Sequence, residues 1–460
     1  MLKQVTGSFR DPSGIVYFEN GILYRQVNLY YKENYDFLFS SGLYDELISS
    51  GFMVSHIEVK GSEGPIYKII KPETIPFVSY PYEWCFSQLK EAALLTLKIQ
   101  RLALKYGMSL KDCSAYNVQF RGAKPVFIDT LSFEKYSQNI PWDAYRQFCQ
   151  HFVAPLVLMG FVDVRLNQLL KSYIDGLPLD LVSSLLPLSS RFNINLLLHI
   201  YLHASAQTNS KNIPLLNEKV GSNKFSLNSF YGLIDSLESL LLRIKWKPKR
   251  NQWSTYYENG VSYTSEALSH KKRIVSGFLD KAKPNTVWDL GANTGVFSHV
   301  SAGKGIYTVF FDFDPACVES NYLTLSEEKE GENILPLLID ICNPTPGIGW
   351  EGQERMSFLE RGPVDAVMML ALIHHLAIAN NLPLEKISHL LRKICKWLII
   401  EFVPKDDEMV KKLLVSRKDI FNNYTQEYFE KEFAKDFIIN ETVKINDSRR
   451  TLYLMRRKEE

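Results

Sequence analysis

The chain has 460 residues, of which 46% are hydrophobic and 23% are charged, and this composition excludes a globally disordered protein. Lysine and arginine number 53 against 51 acidic residues. The resulting net charge of +2 is too balanced for a dedicated nucleic-acid or anionic-membrane binder.

The cysteines and the amino terminus indicate the cellular compartment. The six cysteines are scattered and form no CxxC pair, which argues against a zinc cluster and against a disulfide-stapled secreted scaffold. The first residues contain no apolar run of the signal-peptide type, and no apolar stretch is long enough to span a bilayer. We therefore expect a cytoplasmic protein without a membrane span.

Residues 1–84 are predicted to form a small, strand-rich lobe. Asn20 and Gly21 stand between two apolar runs and predict a two-residue hairpin turn, because both residues tolerate positive φ. A helix broken at Gly42 follows, and then two strand-like runs. The segment that ends this lobe is rich in proline and aromatic residues, which is typical of a stiff connector.

Residues 85–245 are predicted to be mainly helical, with two short strands. Strong helix formers and an apolar stripe predict a long helix over 86–107, ended by its last residue, a glycine. The polar stretch 205–229 is typical of an exposed loop, and an amphipathic helix follows it. A basic, proline-containing segment then indicates a domain boundary near 245–252.

Residues 246–460 alternate between apolar strands and helices. Continuous apolar strands separated by helices favour an α/β domain with a mostly parallel sheet covered on both faces. The final run, TLYLMRR, is predicted to be an antiparallel edge strand.

The most informative motif is VWDLGANTGVFS at residues 287–298, where a strand is followed by a glycine turn and a helix. Gly291 and Gly295 would let the backbone approach a ligand at the carboxyl edge of the sheet, and Asn293 tolerates positive φ. The dinucleotide pattern GxGxxG fails, because Asn293 and Val296 occupy its second and third glycine positions.

This motif resembles D-L-G-x-x-x-G, the first motif of class I S-adenosylmethionine-dependent methyltransferases, with Asn293 in place of that family's usual middle glycine. The resemblance implies a Rossmann-like domain with a mostly parallel seven-stranded sheet and S-adenosylmethionine as cofactor. It places Asp289 near the methionyl ammonium of the cofactor, with Gly291 and Gly295 in the turn.

Acidic residues also end the second and third predicted strands. By the same resemblance Asp312 accepts hydrogen bonds from the ribose hydroxyls, with Asp314 as a second claimant, and Asp340 and Ile341 lie at the adenine end of the pocket. A single strand-end aspartate is typically a helix cap. Three of them together with the glycine turn favour cofactor binding.

The fourth strand ends at His374 and His375, where many class I methyltransferases have a polar residue facing the methyl group. A neutral histidine suits a base that takes the proton of a hydroxyl acceptor. The sequence leaves open which histidine acts, or whether both only pack under the helix. Glu401, Lys405 and Asp406 either line the acceptor site or belong to a solvated loop.

An aromatic segment precedes the first strand of this domain and either folds over the cofactor or packs against the domain. Its residues are Trp253, Tyr256, Tyr257, Tyr263 and the nearby Lys271.

A second motif begins with Asp112, which is separated by four residues from Asn117. A short predicted hairpin then leads to Asp129. It resembles the catalytic loop and metal-binding aspartate of the protein-kinase-like superfamily, which implies ATP and Mg²⁺ held by Asn117 and Asp129. The usual histidine before the catalytic aspartate, the glycine-rich loop and the strand lysine are absent. Arg25 is the nearest candidate cation for phosphates, with Glu46 or Glu33 as its partner.

Over its full length the chain resembles a bacterial family of uncharacterised class I methyltransferases, some of them nodulation-protein-like. The phrases that carry this resemblance are KDCSAYNVQFRG, FIDTLSFE, PWDAYRQFCQHFVAPL and VWDLGANTGVFS. The leading hypothesis is O-methylation of a small-molecule or glycan-type acceptor by a methyltransferase with an amino-terminal kinase-like domain.

Two alternatives concern the kinase-like domain, which either phosphorylates a glycan or hydroxyl acceptor before methylation or binds acceptor or nucleotide without catalysis. A non-catalytic scaffold and nucleic-acid methylation are disfavoured by the intact strand-end acids and by the balanced charge. The acceptor, the acceptor atom and the oligomeric state are left open by the sequence.

Overall fold

The computed structural model describes residues 2–60, 64–202, 204, 225–248, 263–327, 333–415 and 418–459. The chain divides into two compact units. The amino-terminal unit contains Met1–Lys247 together with Ile348–Arg355, and the carboxy-terminal unit contains Pro248–Gly347 and Met356–Glu460. The sequence assigned 348–355 to the carboxy-terminal domain, so this short insertion is a feature that only the structure reveals.

The amino-terminal unit begins with a five-stranded antiparallel sheet in the order β1-β2-β3-β5-β4. Its strands are β1 (Leu2–Gln4), β2 (Gly14–Glu19), β3 (Ile22–Asn28), β4 (His56–Lys60) and β5 (Ile66–Pro72). Asn20 and Gly21 join β2 to β3 with φ values of 51° and 79°. The predicted hairpin is therefore confirmed, since its turn needs positive φ at both residues.

Two short helices, α1 (Lys32–Ser40) and α2 (Leu43–Ser49), follow this hairpin. Gly42 separates them with φ of 84°, which confirms the predicted break, because a left-handed residue cannot continue a right-handed helix. Tyr35 of α1 is buried in one apolar cluster with Val27 of β3 and Ile70 of β5. This cluster fixes the helix against the sheet.

The rest of the amino-terminal unit is mainly helical, as predicted. Among the described residues, its α-helices are α3 (Phe86–Lys105), α4 (Tyr145–Phe148), α5 (Ala154–Phe161), α6 (Leu179–Leu185), α7 (Ile194–Leu196) and α8 (Leu227–Arg243). Two π-helical segments, Cys149–Val153 and Leu197–Tyr201, extend α4 and α7. Its remaining strands are β6 (Met108–Leu110), β7 (Val118–Arg121), β8 (Lys124–Phe127) and β9 (Phe133–Lys135).

The insertion 348–355 is held in the amino-terminal unit by an ion pair. Arg10 donates from Nε and Nη2 to the two carboxylate oxygens of Glu354, at 2.7 and 3.0 Å. The Glu354 side chain is 1% exposed and also accepts the backbone N–H of Trp350. The guanidinium of Arg355 lies 4.1 Å from the ring centre of Tyr116.

The carboxy-terminal unit contains a seven-stranded sheet in the order β12-β11-β10-β13-β14-β16-β15. The strands are β10 (Thr286–Leu290), β11 (Tyr307–Asp312), β12 (Ile334–Leu338), β13 (Val364–Met369), β14 (Cys395–Phe402), β15 (Phe437–Lys444) and β16 (Thr451–Arg457). The first five are parallel, and β16 is antiparallel to both of its neighbours. The mostly parallel sheet confirms the prediction from the strand pattern, and its mixed, seven-stranded, Rossmann-like form agrees with what the resemblance to methyltransferases implied.

Six α-helices accompany this sheet. They are α9 (Ser265–Ala282), α10 (Val296–Ala302), α11 (Pro315–Glu327), α12 (Leu384–Ile394), α13 (Glu408–Val415) and α14 (Gln426–Asp436) among the described residues. Val275 and Phe278 of α9 share a buried cluster with Val287 of β10 and Ile399 of β14. Strands β10, β11 and β13 are almost wholly buried, which follows from coverage on both faces.

The prediction that the last strand lies at the edge of the sheet was wrong, although its antiparallel direction is confirmed. β16 lies between β14 and β15, and β15 forms the edge. The first five residues of β16 are buried, whereas alternate residues of β15 are exposed. The alternating pattern of β15 indicates one solvent-exposed face, whereas β16 is buried on both faces over its first five residues.

Among the described helices, none combines the length and apolar character needed to cross a membrane. Most of the predicted polar loop 205–229 lies outside the described residues. Trp253, Tyr256 and Tyr257 also lie outside them.

Candidate functional site

The turn after β10 forms the centre of the site. Gly291, Asn293 and Gly295 all have positive φ, at 67°, 58° and 80°. A Cβ at Gly291 would lie 2.9 Å from Leu372, and one at Gly295 would lie 2.2 Å from the Asn321 side chain. Both glycines are therefore required by backbone conformation and by space, and Asn293 takes a left-handed position that asparagine tolerates.

Asp312, the last residue of β11, is bonded to this turn. Its Oδ2 accepts the backbone N–H of Asn293 at 2.8 Å, and its Oδ1 accepts that of Asp314 at 2.9 Å. The side chain is buried, and burial raises the pKa of Asp312 to about 7. The carboxylate thus connects the carboxyl ends of two adjacent strands.

A cavity of about 360 Å³ lies beside Asp312 at this edge of the sheet. Of the predicted cofactor residues, Gly291, Asn293, Asp312, Asp340 and Ile341 line it, and so does His375. The rest of the described wall is mainly apolar and consists of Leu290, Phe311, Phe313, Ile339, Cys342, Leu370, Ala371, Leu372, Leu376, Ala379, Asn380 and Leu413.

Three predicted cofactor residues lie outside this wall. Asp289 is 2% exposed and accepts the Ser298 hydroxyl at 2.7 Å, and burial raises the pKa of Asp289 to about 7. Asp314 accepts the backbone N–H groups of Ala316 and Cys317 in the first turn of α11. Gly295 precedes the first residue of α10.

Asp340 follows β12 and lines the same cavity. Its side chain is exposed, and its Oδ1 accepts the backbone N–H of Cys342 at 2.8 Å. The backbone carbonyl of Asp340 accepts the N–H of Asn343. This turn directs the chain around the cavity and leaves the carboxylate accessible.

The structure separates the two histidines after β13. Their ring centres are 4.1 Å apart, yet His375 lines the cavity and His374 does not. His374 is 1% exposed, and neither of its ring nitrogens has a hydrogen-bond partner among the described residues. Burial lowers the pKa of His374 well below its usual value and that of His375 to about 4, so both rings are neutral at pH 7.

The backbone around His375 departs from regular geometry. Ala371, also in the wall, has φ of 52°, which is uncommon for a residue with a Cβ. His375–Ala379 forms a π-helical turn. Such turns and such strained residues occur frequently at functional sites.

A buried ionic cluster lies in the same unit and was not predicted. Lys271 Nζ is 2.6 Å from Glu401 Oε2, and both side chains are fully buried. The Tyr263 hydroxyl donates to Glu401 and accepts from Lys271 and from Arg450. Arg450 also forms a bidentate pair with Asp407, at 2.8 and 3.1 Å.

One signal for this cluster was present in the sequence. Lys271 stands on the apolar face of α9, four residues after Ala267 and four before Val275. A charged residue on a buried helix face requires a buried partner. The sequence does not show that Glu401, rather than any other acid, is that partner.

The other residues proposed for the acceptor site lie elsewhere. Glu401 is within the buried cluster, and Lys405 pairs with Asp419 at 2.9 Å. Asp406 pairs with Arg449 on the surface. None of the three lines the cavity among its described residues.

The predicted phosphotransfer residues form a separate cluster in the amino-terminal unit. Arg25 Nη1 donates to Asp129 Oδ1 at 2.7 Å, and Asp129 also accepts the N–H of Leu131 and the hydroxyl of Ser132. The Asn117 side chain donates to that same serine at 3.1 Å. Arg25 therefore pairs with the proposed metal-binding aspartate itself.

The remaining residues of this cluster also have local partners. Asp112 accepts the N–H of Ser114, and burial raises the pKa of Asp112. Glu33 lies 3.6 Å from Lys135, and Glu46 accepts the Ser50 hydroxyl. Across the described residues, no group of three or more His, Cys, Asp or Glu side chains is arranged to hold a metal ion.

The comparisons with known proteins identify one full-length relative. The chain is 34% identical to nodulation protein NoeA of Rhizobium meliloti strain 1021 over 468 residues, which cover 99% of this chain and 96% of the relative. No protein-family model matches the chain.

Two solved structures illustrate the likeness that the comparison found. The first, from Nostoc punctiforme PCC 73102 and provisionally assigned as an O-methyltransferase, is 13% identical with a TM-score of 0.33 and covers 46% of this chain and 62% of its own. The second, magnesium protoporphyrin IX methyltransferase ChlM from Synechocystis PCC 6803 with bound S-adenosylhomocysteine, is 15% identical with a TM-score of 0.32 and covers 46% and 90%. Both scores are low, and we base the function on the cavity instead.

Proposed function

The chain belongs to the family of the nodulation protein NoeA, and for this member we propose S-adenosylmethionine-dependent methyl transfer, most simply to the oxygen of a small-molecule or glycan-type acceptor. The observation that carries the proposal is the cavity at the carboxyl ends of β10, β11 and β12. Ligands of open α/β sheets bind at this edge, where the strand order reverses.

The residues around the cavity suit this cofactor. A carboxylate has about four lone-pair positions, so Asp312 can accept ribose hydroxyls besides its two backbone bonds. Asp340 is exposed at the position proposed for the adenine amino group. Gly291 lines the cavity, and its lack of a Cβ leaves room for the Leu372 side chain of the same wall.

The charge of the wall supports the same ligand. Asp312 and Asp340 are the charged side chains of the described wall, and both are acidic. S-adenosylmethionine carries a sulfonium cation and supplies its methyl carbon as an electrophile. Carboxylates in a largely apolar cavity attract a cation more strongly than they would in water.

His375 is the group that we propose to contact the acceptor hydroxyl. It lines the cavity beside the π-helical turn and is neutral at pH 7, so it offers a lone pair to the hydroxyl proton. With S-adenosylmethionine bound, the acceptor oxygen would take the methyl carbon as the carbon–sulfur bond breaks, and the His375 imidazole would take the hydroxyl proton. His374, buried behind it, has a packing role in this proposal.

Calorimetric titration of the full chain with S-adenosylhomocysteine tests the proposal. We expect one site with a dissociation constant in the micromolar range, about −8 kcal/mol. Adenosine alone should bind more weakly, because it lacks the methionyl part. Failure of both S-adenosylmethionine and S-adenosylhomocysteine to bind would exclude the proposed activity.

For the amino-terminal unit we propose a kinase-like module that binds acceptor or nucleotide without catalysis. Asp129 is engaged by Arg25 and by two further donors, so a magnesium ion would have to displace the guanidinium. The alternative is a bifunctional enzyme whose amino-terminal unit phosphorylates the acceptor with ATP and Mg²⁺ held by Asn117 and Asp129. The engaged Asp129 carboxylate favours the non-catalytic module.

Titration with ATP, with and without Mg²⁺, separates these two alternatives. If the unit is a binding module, magnesium should hardly change its affinity for ATP, and no labelled phosphate should be transferred to acceptor or water. Phosphate transfer that is lost in Asp112→Ala would establish the bifunctional enzyme. A cytoplasmic location, consistent with six free cysteines and balanced charge, is part of the proposal.

A further inference from the structure

We infer that the methyl acceptor presents an uncharged group, a hydroxyl of a neutral compound, and not a phosphate or a carboxylate. This inference rests on the proposed function and concerns the same cavity. Two observations carry it. The first is the set of side chains in the part of the wall that is not proposed to bind the cofactor. The second is that the nearest buried cations, Lys271 and Arg450, already have carboxylate partners.

The acceptor side of the wall consists of the chain after β13 together with α13. It contains Leu370, Ala371, Leu372, His375, Leu376, Ala379, Asn380 and Leu413. Two of these eight side chains are polar, one imidazole and one amide, and the described wall contains no lysine or arginine. A bound phosphate or carboxylate normally has a cationic or backbone N–H partner, since a buried anion without one is strongly disfavoured.

His375 cannot supply the missing cation. Burial, together with the positive charge of Arg450, lowers the pKa of His375 to about 4, so fewer than about one ring in a hundred is protonated at pH 7. The carboxylates of Asp312 and Asp340 in the same wall would repel an anion further. A neutral hydroxyl meets no such penalty and can donate its proton to the imidazole.

The nearest buried cations are already paired. Lys271 is in contact with Glu401, and both are fully buried. Arg450 is 1% exposed and forms its bidentate pair with Asp407. Breaking either pair would remove the closest cation from a carboxylate that is fully buried, for Glu401, or mostly buried, for Asp407, which typically costs several kcal/mol. These cations therefore belong to the fold and not to the acceptor site.

The charge of the cavity wall disfavours the alternative in which phosphorylation precedes methylation. A phosphorylated acceptor would present a dianion to a wall whose described residues include two carboxylates and no lysine or arginine. The charge of the described wall suits the hydroxyl compound before phosphorylation, such as a neutral glycan, better than its phosphate ester. Any phosphorylation by the amino-terminal unit would thus have to act at a position remote from the methylated hydroxyl.

Matched cofactor analogues test this inference without knowledge of the natural acceptor. The probes are S-adenosylhomocysteine and two derivatives that carry a short chain on the sulfur position, one ending in a hydroxyl and one in a phosphonate. We expect the hydroxyl probe to bind about as tightly as S-adenosylhomocysteine and the phosphonate probe at least about tenfold more weakly at pH 7.5.

A pair of lysine variants provides the matched control. Ala379→Lys places a cation in the wall and should tighten binding of the phosphonate probe by about fivefold or more, without a similar gain for the hydroxyl probe. Val415→Lys adds the same charge at a residue that is 86% exposed and outside the wall, where solvent screening should keep the change below about twofold.

Each outcome decides the question. Equal binding of the two derivatives by the wild-type chain, or tighter binding of the phosphonate, would overturn the inference while leaving the methyltransferase proposal intact. Absence of binding by S-adenosylhomocysteine itself would instead overturn the proposed function, and the inference would fall with it.

Discussion

Two acidic residues at strand ends, Asp129 after β8 and Asp312 as the last residue of β11, have similar sequence surroundings and very different partners. Asp312 accepts two backbone N–H groups from neighbouring turns and lines an open cavity. Asp129 accepts a backbone N–H and a hydroxyl as well, but it also pairs with Arg25 from the amino-terminal hairpin. In both regions the local sequence places the acid at the end of a strand. Whether its carboxylate is accessible to a ligand depends on a residue far away in the chain, such as Arg25 for Asp129.

This comparison separates two kinds of carboxylate by their expected behaviour. A carboxylate that serves a ligand should affect binding when it is changed and have a modest effect on stability. A carboxylate paired inside the protein should affect stability when its partner is removed and leave ligand binding to the other unit unchanged.

The largest expected effect concerns the fully buried pair of Lys271 and Glu401. Lys271→Met removes the cation in contact with the buried Glu401, which keeps the Tyr263 hydroxyl and Arg450 at 3.8 Å, and should lower the free energy of unfolding of the carboxy-terminal unit by about 3 kcal/mol. Urea unfolding measures this loss. The double variant Lys271→Met/Glu401→Gln should recover much of it, and a single-variant loss below about 1 kcal/mol would contradict the buried-pair interpretation.

The second-largest expected effect is a loss of ligand affinity when Asp312, the carboxylate proposed to bind the cofactor, is changed. Asp312→Asn keeps the shape of the side chain but weakens its acceptance of ribose hydroxyls, so affinity for S-adenosylhomocysteine should fall roughly 10- to 100-fold. Calorimetry measures the change. Asp314→Asn is the matched control, because Asp314 accepts N–H groups at the start of α11 and lies outside the cavity wall. The affinity of this variant for S-adenosylhomocysteine should stay within about threefold of wild type.

A smaller effect is expected for the paired carboxylate of the amino-terminal unit. The Arg25 and Asp129 side chains are 15% and 13% exposed, so Arg25→Met should lower the free energy of unfolding by about 1–3 kcal/mol. Binding of S-adenosylhomocysteine should be unchanged in the same variant. Stimulation of ATP binding by Mg²⁺ in Arg25→Met but not in wild type would show that the guanidinium occupies the metal position.

The smallest effect is a pH dependence of cofactor binding. Burial raises the pKa of Asp312 from 3.8 to about 7, so its ionised fraction increases as the pH rises through that value. Affinity for S-adenosylmethionine should therefore increase from pH 6 to pH 8 by at most about tenfold. Asp312→Asn should remove the dependence. Asp289→Asn should retain it, since Asp289 has a similarly raised pKa but lies outside the wall.

Much of the fold followed from local signals in the sequence. The Asn20-Gly21 hairpin and the break at Gly42 are confirmed because they depend on backbone conformations that few residues adopt. The parallel strands β10 to β14 were recognised from their continuous apolar character. The position of β16 was missed, since a buried strand next to an edge and a short apolar edge strand look alike without their partners.

The candidate site was less accessible to sequence reasoning. The acids at strand ends were identified, but their surroundings depend on residues far away in the chain, such as Arg25 for Asp129. The two adjacent histidines were indistinguishable until the turn after β13 placed His375 in the wall and His374 behind it. The Lys271–Glu401 pair required two elements whose association no local pattern encodes.

The short insertion 348–355 has a consequence for how the protein is made. Arg10 donates two hydrogen bonds to Glu354. Glu354 emerges from the ribosome roughly a hundred residues after Lys247, which corresponds to a delay of about 5 to 20 s at ordinary translation rates. Until then the amino-terminal unit lacks a piece of itself. A nascent chain stalled before this point should therefore be cleaved more readily by protease near Arg10 than one released at full length.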